Sequence, residues 1–251
     1  MSGGRRAARG LCLFLSAGAL AWAGASWAAR PPGEDTARVG QRIARGEAFR
    51  PEILRQAADR VAASAELTCD ARWLTAGLFV ALQAADTARA EADLAMLDAR
   101  LLLARRVARR TLACAPTSAF AWLALSWIET TREGFDERWV RYLARSYETG
   151  PKEIWVAVRR NPIAMNLLPQ LPPALQEKAM QELVDLVQAN QTDTALAVFT
   201  RLDAPLQAQI AERLGTLPYG ARNGFARRLY RLGNETRIPG VSLPSDRPWA
   251  R

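Results

Sequence analysis

Between Pro51 and Gly233 the chain is a succession of apolar-periodic segments cut at short intervals by proline and glycine. In "PEILRQAADRVAASAEL", "DARWLTAGLFVALQAAD" and "ADLAMLDARLLLARRVARRTLACAP" the apolar residues recur every three or four positions, the period of an amphipathic helix. No alternating strand pattern of useful length is present. Breaks fall at Pro116, Gly134, Gly150-Pro151, in "RRNPIAM" and "QLPP", at Pro205 and in "LPYG". The segments between them are mostly about ten to twenty residues, and helices this short are marginal unless one face is buried on a neighbour. The pattern therefore predicts an all-α chain of stacked helical hairpins.

Internal similarity supports stacking. "RRVARRTLACAP" aligns with "VRYLARSYETGP" at an offset of 35, pairing Arg106 with Arg141, Arg110 with Arg145, Thr111 with Ser146 and Pro116 with Pro151. A Trp follows each proline, at Trp122 and Trp155. Further on, Leu175, Ala179, Met180 and Leu183 align with Leu206, Ile210, Ala211 and Leu214 at an offset of 31.

"PTSAFAWLALS" (Pro116 to Ser126) resembles the junction between two tetratricopeptide repeats. Pro116 closes one unit, a polar pair turns the chain, and Trp122 and Leu125 begin the next inward face. Ala104, twelve residues before the proline, stands at the small position where two helices touch. Ser126 replaces the preferred Gly, and Ala108 replaces an aromatic. The resemblance covers about one repeat well and residues 51–160 degenerately. It implies a short tetratricopeptide-like solenoid over 51–160, followed by a helical portion over 161–233 and an extended tail over 234–251. Trp122 and Trp127 are expected in the core rather than on a ligand platform.

The N-terminus reads as an address. Arg5, Arg6 and Arg9 precede Leu11–Ala29, a stretch without charge, and "SWA" places small residues ahead of a cleavage point. That is the layout of a secretory signal over residues 1–28, with an uncleaved membrane anchor over 11–29 as the alternative. A polar entry segment, 29–50, follows. The chain carries 34 basic and 25 acidic residues and no His. Loss of residues 1–28 would remove three Arg and no acid, leaving a net +6. The absence of His excludes imidazole bases, Ser-His-Asp and Cys-His nucleophiles and His-ligated zinc. Export would leave Cys69 and Cys114 in an oxidising compartment, where they either pair or stay as two buried thiols.

Four candidate clusters remain. Arg105, Arg106, Arg109 and Arg110 form a basic face opposite Leu102, Leu103, Val107 and Leu112, suited to an anionic glycan or an acidic partner. Arg222, Arg227, Arg228 and Arg231 form a second around Phe225, Leu229 and Tyr230. Glu129, Glu133, Asp136 and Glu137 gather near Gly134 and are the carboxylates a glycan-acting enzyme would use. Arg159–Pro162 reads as an Asn-Pro helix entry, with a small anion site near Lys152 as the alternative. No phosphate loop, dinucleotide fingerprint, paired CxxC, calcium loop or nucleic-acid motif is present, so no cofactor, metal or nucleic acid is expected. "NET" at Asn234 matches the glycosylation triplet without further support.

The order "AFAWLALSWIE", "ARSYETGPKEIWVAVRRNP", paired Leu-Gln helices, "FARRLYRLG" and a closing "IPG...PSDRPW" is loosely similar to small exported helical proteins of alphaproteobacteria associated with exopolysaccharide or envelope assembly. That resemblance implies a periplasmic, non-catalytic scaffold or adaptor whose partners are envelope or polysaccharide-assembly proteins. The alternative is the carboxylate enzyme near Gly134.

Overall fold

The computed structural model describes residues 16–22, 24 and 34–242. Among them every regular element is helical, and no strand occurs. Residues 16–22, inside the expected signal or anchor, are helical and exposed; the rest of 1–28 lies outside the described residues except for Gly24. No helix among the described residues is long and apolar enough to cross a membrane.

The helices are α1 (Glu34–Ala44), α2 (Pro51–Ser64), α3 (Ala71–Ala90), α4 (Leu94–Cys114), α5 (Ala119–Glu133), α6 (Glu137–Thr149), α7 (Ile154–Asn166), α8 (Pro173–Gln188), α9 (Thr192–Phe199), α10 (Ala204–Leu214) and α11 (Tyr219–Arg231). Their ends follow from local chemistry. Asp70, Asp93, Asp136 and Asp203 cap α3, α4, α6 and α10 by accepting from first-turn backbone N–H groups. Pro51, Pro173 and Pro205 occupy first-turn positions, where a missing N–H costs nothing. Gly134, at φ 82°, ends α5 in a conformation that disfavours a side chain.

Successive helices pair: α3 packs on α4, α5 on α6 and α7 on α8, while α4 also meets α5. One continuous core runs from Ile43 to Ile238. Ala104, Ala108, Leu125 and Ser126 are buried where α4, α5 and their neighbours meet. The stripe repeated at offset 31 is buried on both α8 and α10, apart from Leu206, which is partly covered.

Three local expectations change. The entry segment 29–50 contains a helix, α1, which packs closely on α3 through Thr36, Gly40 and Ile43. A Cβ on Gly40 would lie 2.2 Å from the Ala76 carbonyl oxygen, so only glycine permits that approach. Next, Asn161-Pro162 is not a helix entry but lies within α7. Proline there removes one intrahelical bond, and the adjacent Arg160 and Asn161 side chains hold the segment through contacts with α6 and α8. Finally, the tail is not simply extended over its described part. Ile238 is buried, residues 239–240 form a turn, and residues 243–251 lie outside the described residues.

Candidate functional site

Two helices present the same set of positions to one side. Phe79, Leu82, Gln83 and Asp86 on α3 and Phe120, Leu123, Ala124 and Trp127 on α5 are each spaced i, i+3, i+4, i+7. That spacing places each set on a single helical face. Arg159 and Ile163, one turn apart on α7, and Ile43 near the end of α1 complete the lining of a cavity of about 250 Å³. Four helices spread over more than a hundred residues of sequence thus converge on one apolar space.

The aromatic wall is continuous. Phe79 and Phe120 stack with centroids 4.3 Å apart, and Trp155 lies 5.4 Å from Phe120 and 6.3 Å from Phe79. Trp155 remains 44% exposed. The Arg159 guanidinium sits 5.1 Å above the Phe79 ring. Its Nη1 donates to the Trp155 carbonyl at 2.5 Å and its Nη2 to the Ala44 carbonyl at 2.6 Å, which ties α7 to the end of α1. Partial burial holds the Arg159 pKa below its ordinary value. Asp86 pairs with Arg89 at 2.9 Å; burial nevertheless raises its carboxyl, outweighing the Arg89 charge and hydrogen bond that lower it.

A second polar assembly lies in the core between α6, α7 and α8. Arg160 is 0% exposed. Its Nε and Nη2 donate to Glu182 Oε1 at 3.0 and 2.6 Å, its Nη1 to the Ser146 carbonyl and Oγ at 2.5 and 3.0 Å, and its Nη2 also to the Gly150 carbonyl at 3.0 Å. Tyr147 lies beneath the guanidinium at 4.1 Å and donates its hydroxyl to Glu182 Oε2 at 2.9 Å. Asn161 Nδ2 donates to the Ala179 carbonyl at 2.8 Å. Burial pushes the Tyr147 and Glu182 pKa values upward, the latter against Arg160. Every contact here closes on another core group, so the assembly is structural.

Two of the four arginines of the basic face on α4 are engaged by neighbouring elements. The four arginines span an arc of about 140°, with Arg106 and Arg109 exposed and Arg105 and Arg110 partly buried. Arg105 Nε lies 2.8 Å from Glu129 Oε1 and Arg109 Nη2 lies 3.7 Å from it. Arg110 Nε donates to the Thr68 carbonyl at 3.0 Å, and Arg106 is exposed. Glu129 is 0% exposed, and both its oxygens lack an aligned hydrogen bond, so its link to Arg105 is electrostatic. The other acids near Gly134 have separate surroundings. Asp136 caps α6, its carboxyl lowered first by the Arg138 side chain and then by the Arg138 backbone N–H, whereas Glu133 and Glu137 are exposed.

Of the second basic face, Arg222 donates to the Gly215 carbonyl and Arg228 pairs with Asp193, leaving Arg227 and Arg231 exposed. Asn234 donates its amide to Gln207 at 3.1 Å. Cys69 and Cys114 are bonded, with Cα atoms 5.4 Å apart, and join the segment before α3 to the end of α4. Trp122 corrects an expectation: it is only partly buried, stacks on Tyr142 at 5.8 Å and donates Nε1 to the Pro116 carbonyl at 2.8 Å, so Pro116 anchors the ring at the surface turn. Trp127 is also only partly buried and lines the cavity.

Sequence reasoning missed the cavity. The signal that could have found it is the matched quartet on α3 and α5, with members 41 residues apart. A scan against protein-family models, a search of curated proteins and a search of solved structures each find no match for this chain.

Proposed function

We propose that this chain is a non-catalytic scaffold or adaptor of the cell envelope, built as a short tetratricopeptide-like stack and exported by its N-terminal segment. The observation that carries the reading is the cavity between α1, α3, α5 and α7: four helices combine apolar and aromatic side chains into a recognition surface without a convergent acid and base. The Cys69–Cys114 bond suits an oxidising compartment. The basic first residues and the uncharged stretch after them suit export. Partners in exopolysaccharide or envelope assembly follow from the loose resemblance of the chain to exported helical proteins of that setting.

The test is deletion of the gene followed by complementation with wild type or with Leu82→Glu, which places a charge in the cavity wall. Surface polymer should fall on deletion, return with wild type and not return with Leu82→Glu at equal protein level. An unchanged polymer after deletion ends the assembly role, and full rescue by Leu82→Glu ends the role of the cavity. Fractionation of a tagged copy tests export: an unprocessed product confined to the cytosol refutes it.

A further inference from the structure

We infer that the cavity between α1, α3, α5 and α7 is a binding site for a small molecule with one carboxylate on a compact apolar body. Its charge argument rests on Arg159. The neighbouring Arg160 has Glu182, Arg105 has Glu129 and Arg132 has Asp98, but Arg159 has no ion pair among the described residues. It meets two backbone carbonyls and an aromatic face. A guanidinium carries five N–H donors, of which these carbonyls take two. Arg159 is half-buried, so a counter-ion there is less screened than in open water, and its remaining donors belong to the planar guanidinium that matches a carboxylate.

The cavity supplies the rest of the specificity. Phe79, Phe120, Leu123, Trp127 and Ile163 give an apolar wall for the body of the ligand. A volume of about 250 Å³ falls just short of the ~300 Å³ at which drug-sized sites begin, and holds about eight water-sized groups at ~30 Å³ each. The occupant therefore has on the order of ten heavy atoms, the size of a medium-chain fatty acid or an arylalkanoate. Asp86 stands seven residues beyond Phe79 on α3, about 10 Å along the helix, and keeps a carboxylate at that end of the space. Asp86 is itself paired with Arg89, and Arg159 is the one cationic side chain lining the cavity among the described residues, so a single carboxylate is what the lining can pair. The ligand would occupy the same cavity that the proposed adaptor presents, so the inference rests on that cavity being a recognition site and names what it holds.

Isothermal titration of the full mature chain with octanoate, 1-octanol and octylammonium tests the inference directly. Octanoate should bind saturably with one site per chain, 1-octanol about tenfold or more weakly, and octylammonium not at all. Arg159→Gln should weaken octanoate about ten- to a hundredfold, the loss of one charge-assisted pair, and leave 1-octanol unchanged. Ile163→Trp, which fills the space, should abolish both. Circular dichroism checks that each variant is folded. If Arg159→Gln does not fold, the three ligands on wild type decide alone. No saturable heat with octanoate up to about 10 mM, a limit weaker than millimolar affinity, overturns the site. So does octylammonium binding as well as octanoate, or wild-type octanoate affinity in folded Arg159→Gln. These outcomes leave the polymer phenotype of the deletion strain untouched, so the two readings fail separately.

Discussion

The buried Arg160–Glu182 pair makes the most exacting stability prediction. In Glu182→Leu the Arg160 guanidinium keeps the Ser146 and Gly150 acceptors but loses its only anionic partner, and the Tyr147 hydroxyl loses its acceptor. In Arg160→Met the Glu182 carboxylate loses its only cationic partner and keeps neutral donors such as Tyr147, while the Ser146 and Gly150 carbonyls keep only backbone N–H donors. Removing one member of a buried pair leaves an uncompensated charge and costs about 3–5 kcal/mol. For a chain of this size that lowers Tm by roughly 6–20 °C, at about 2–4 °C per kcal/mol. The double variant removes both charges at once, so it should be more stable than the sum of the singles predicts, with a coupling of about 2–3 kcal/mol. Urea denaturation followed at 222 nm for the four proteins measures this. A coupling within ~0.5 kcal/mol of zero would mean that the two side chains act independently, and the reasoning fails.

Other outcomes follow from the same contacts. Reduction of Cys69–Cys114, which closes a separation of 45 residues, should cost about 4 kcal/mol by chain entropy; two free thiols in protein purified without reductant would refute the bond. Gly40→Ala should destabilise by about 1–3 kcal/mol because its Cβ meets the Ala76 carbonyl and must push α1 off α3. An unchanged urea midpoint would show that the two helices separate freely. Asp86 has its carboxyl raised by burial, so its contribution is fully present below the unfolded value of about 3.9 and is lost as pH rises through the folded one. The Tm of Asp86→Asn minus that of wild type should therefore rise as the pH is raised above about 4; a flat difference refutes the burial argument.

Much of the helical architecture was legible because proline, glycine and capping aspartates punctuate it and because the apolar period is clear from Pro51 onward. What failed to show is instructive in its residue types. The buried face of α1 consists of Thr36, Gly40 and Ile43, chosen for close approach to α3 rather than for hydrophobicity. An apolar pattern cannot reveal a contact whose essential member has no side chain. Pro31, Pro32 and Gly33 just upstream make the segment look still more like a linker. "RRNP" failed for the opposite reason. Sequence habit sends arginine to solvent and Asn-Pro to turns, yet acceptors on α6 and α8 draw Arg160 and Asn161 into the core.

The site was hidden by the same logic. Trp122 and Trp127 looked alike as large aromatics on one helix, and both were expected inside. They are five residues apart, about 140° around the helix, so they face different neighbours. Trp122 turns to Tyr142 on α6, and Trp127 turns to the cavity. Arg159 and Arg160 repeat the lesson at one residue of separation, about 100° apart. One completes a core ion pair; the other reaches the cavity without a counter-ion. Composition counts these residues as equivalent, while the helix assigns them opposite duties. The assignment becomes visible only once α1 and α8 are in place, because Ala44 accepts from one arginine and Glu182 from the other. Chemistry at this site is thus specified by tertiary neighbours more than a hundred positions apart, which is why the quartets on α3 and α5 mark the wall of the cavity but could not identify the charge that faces it.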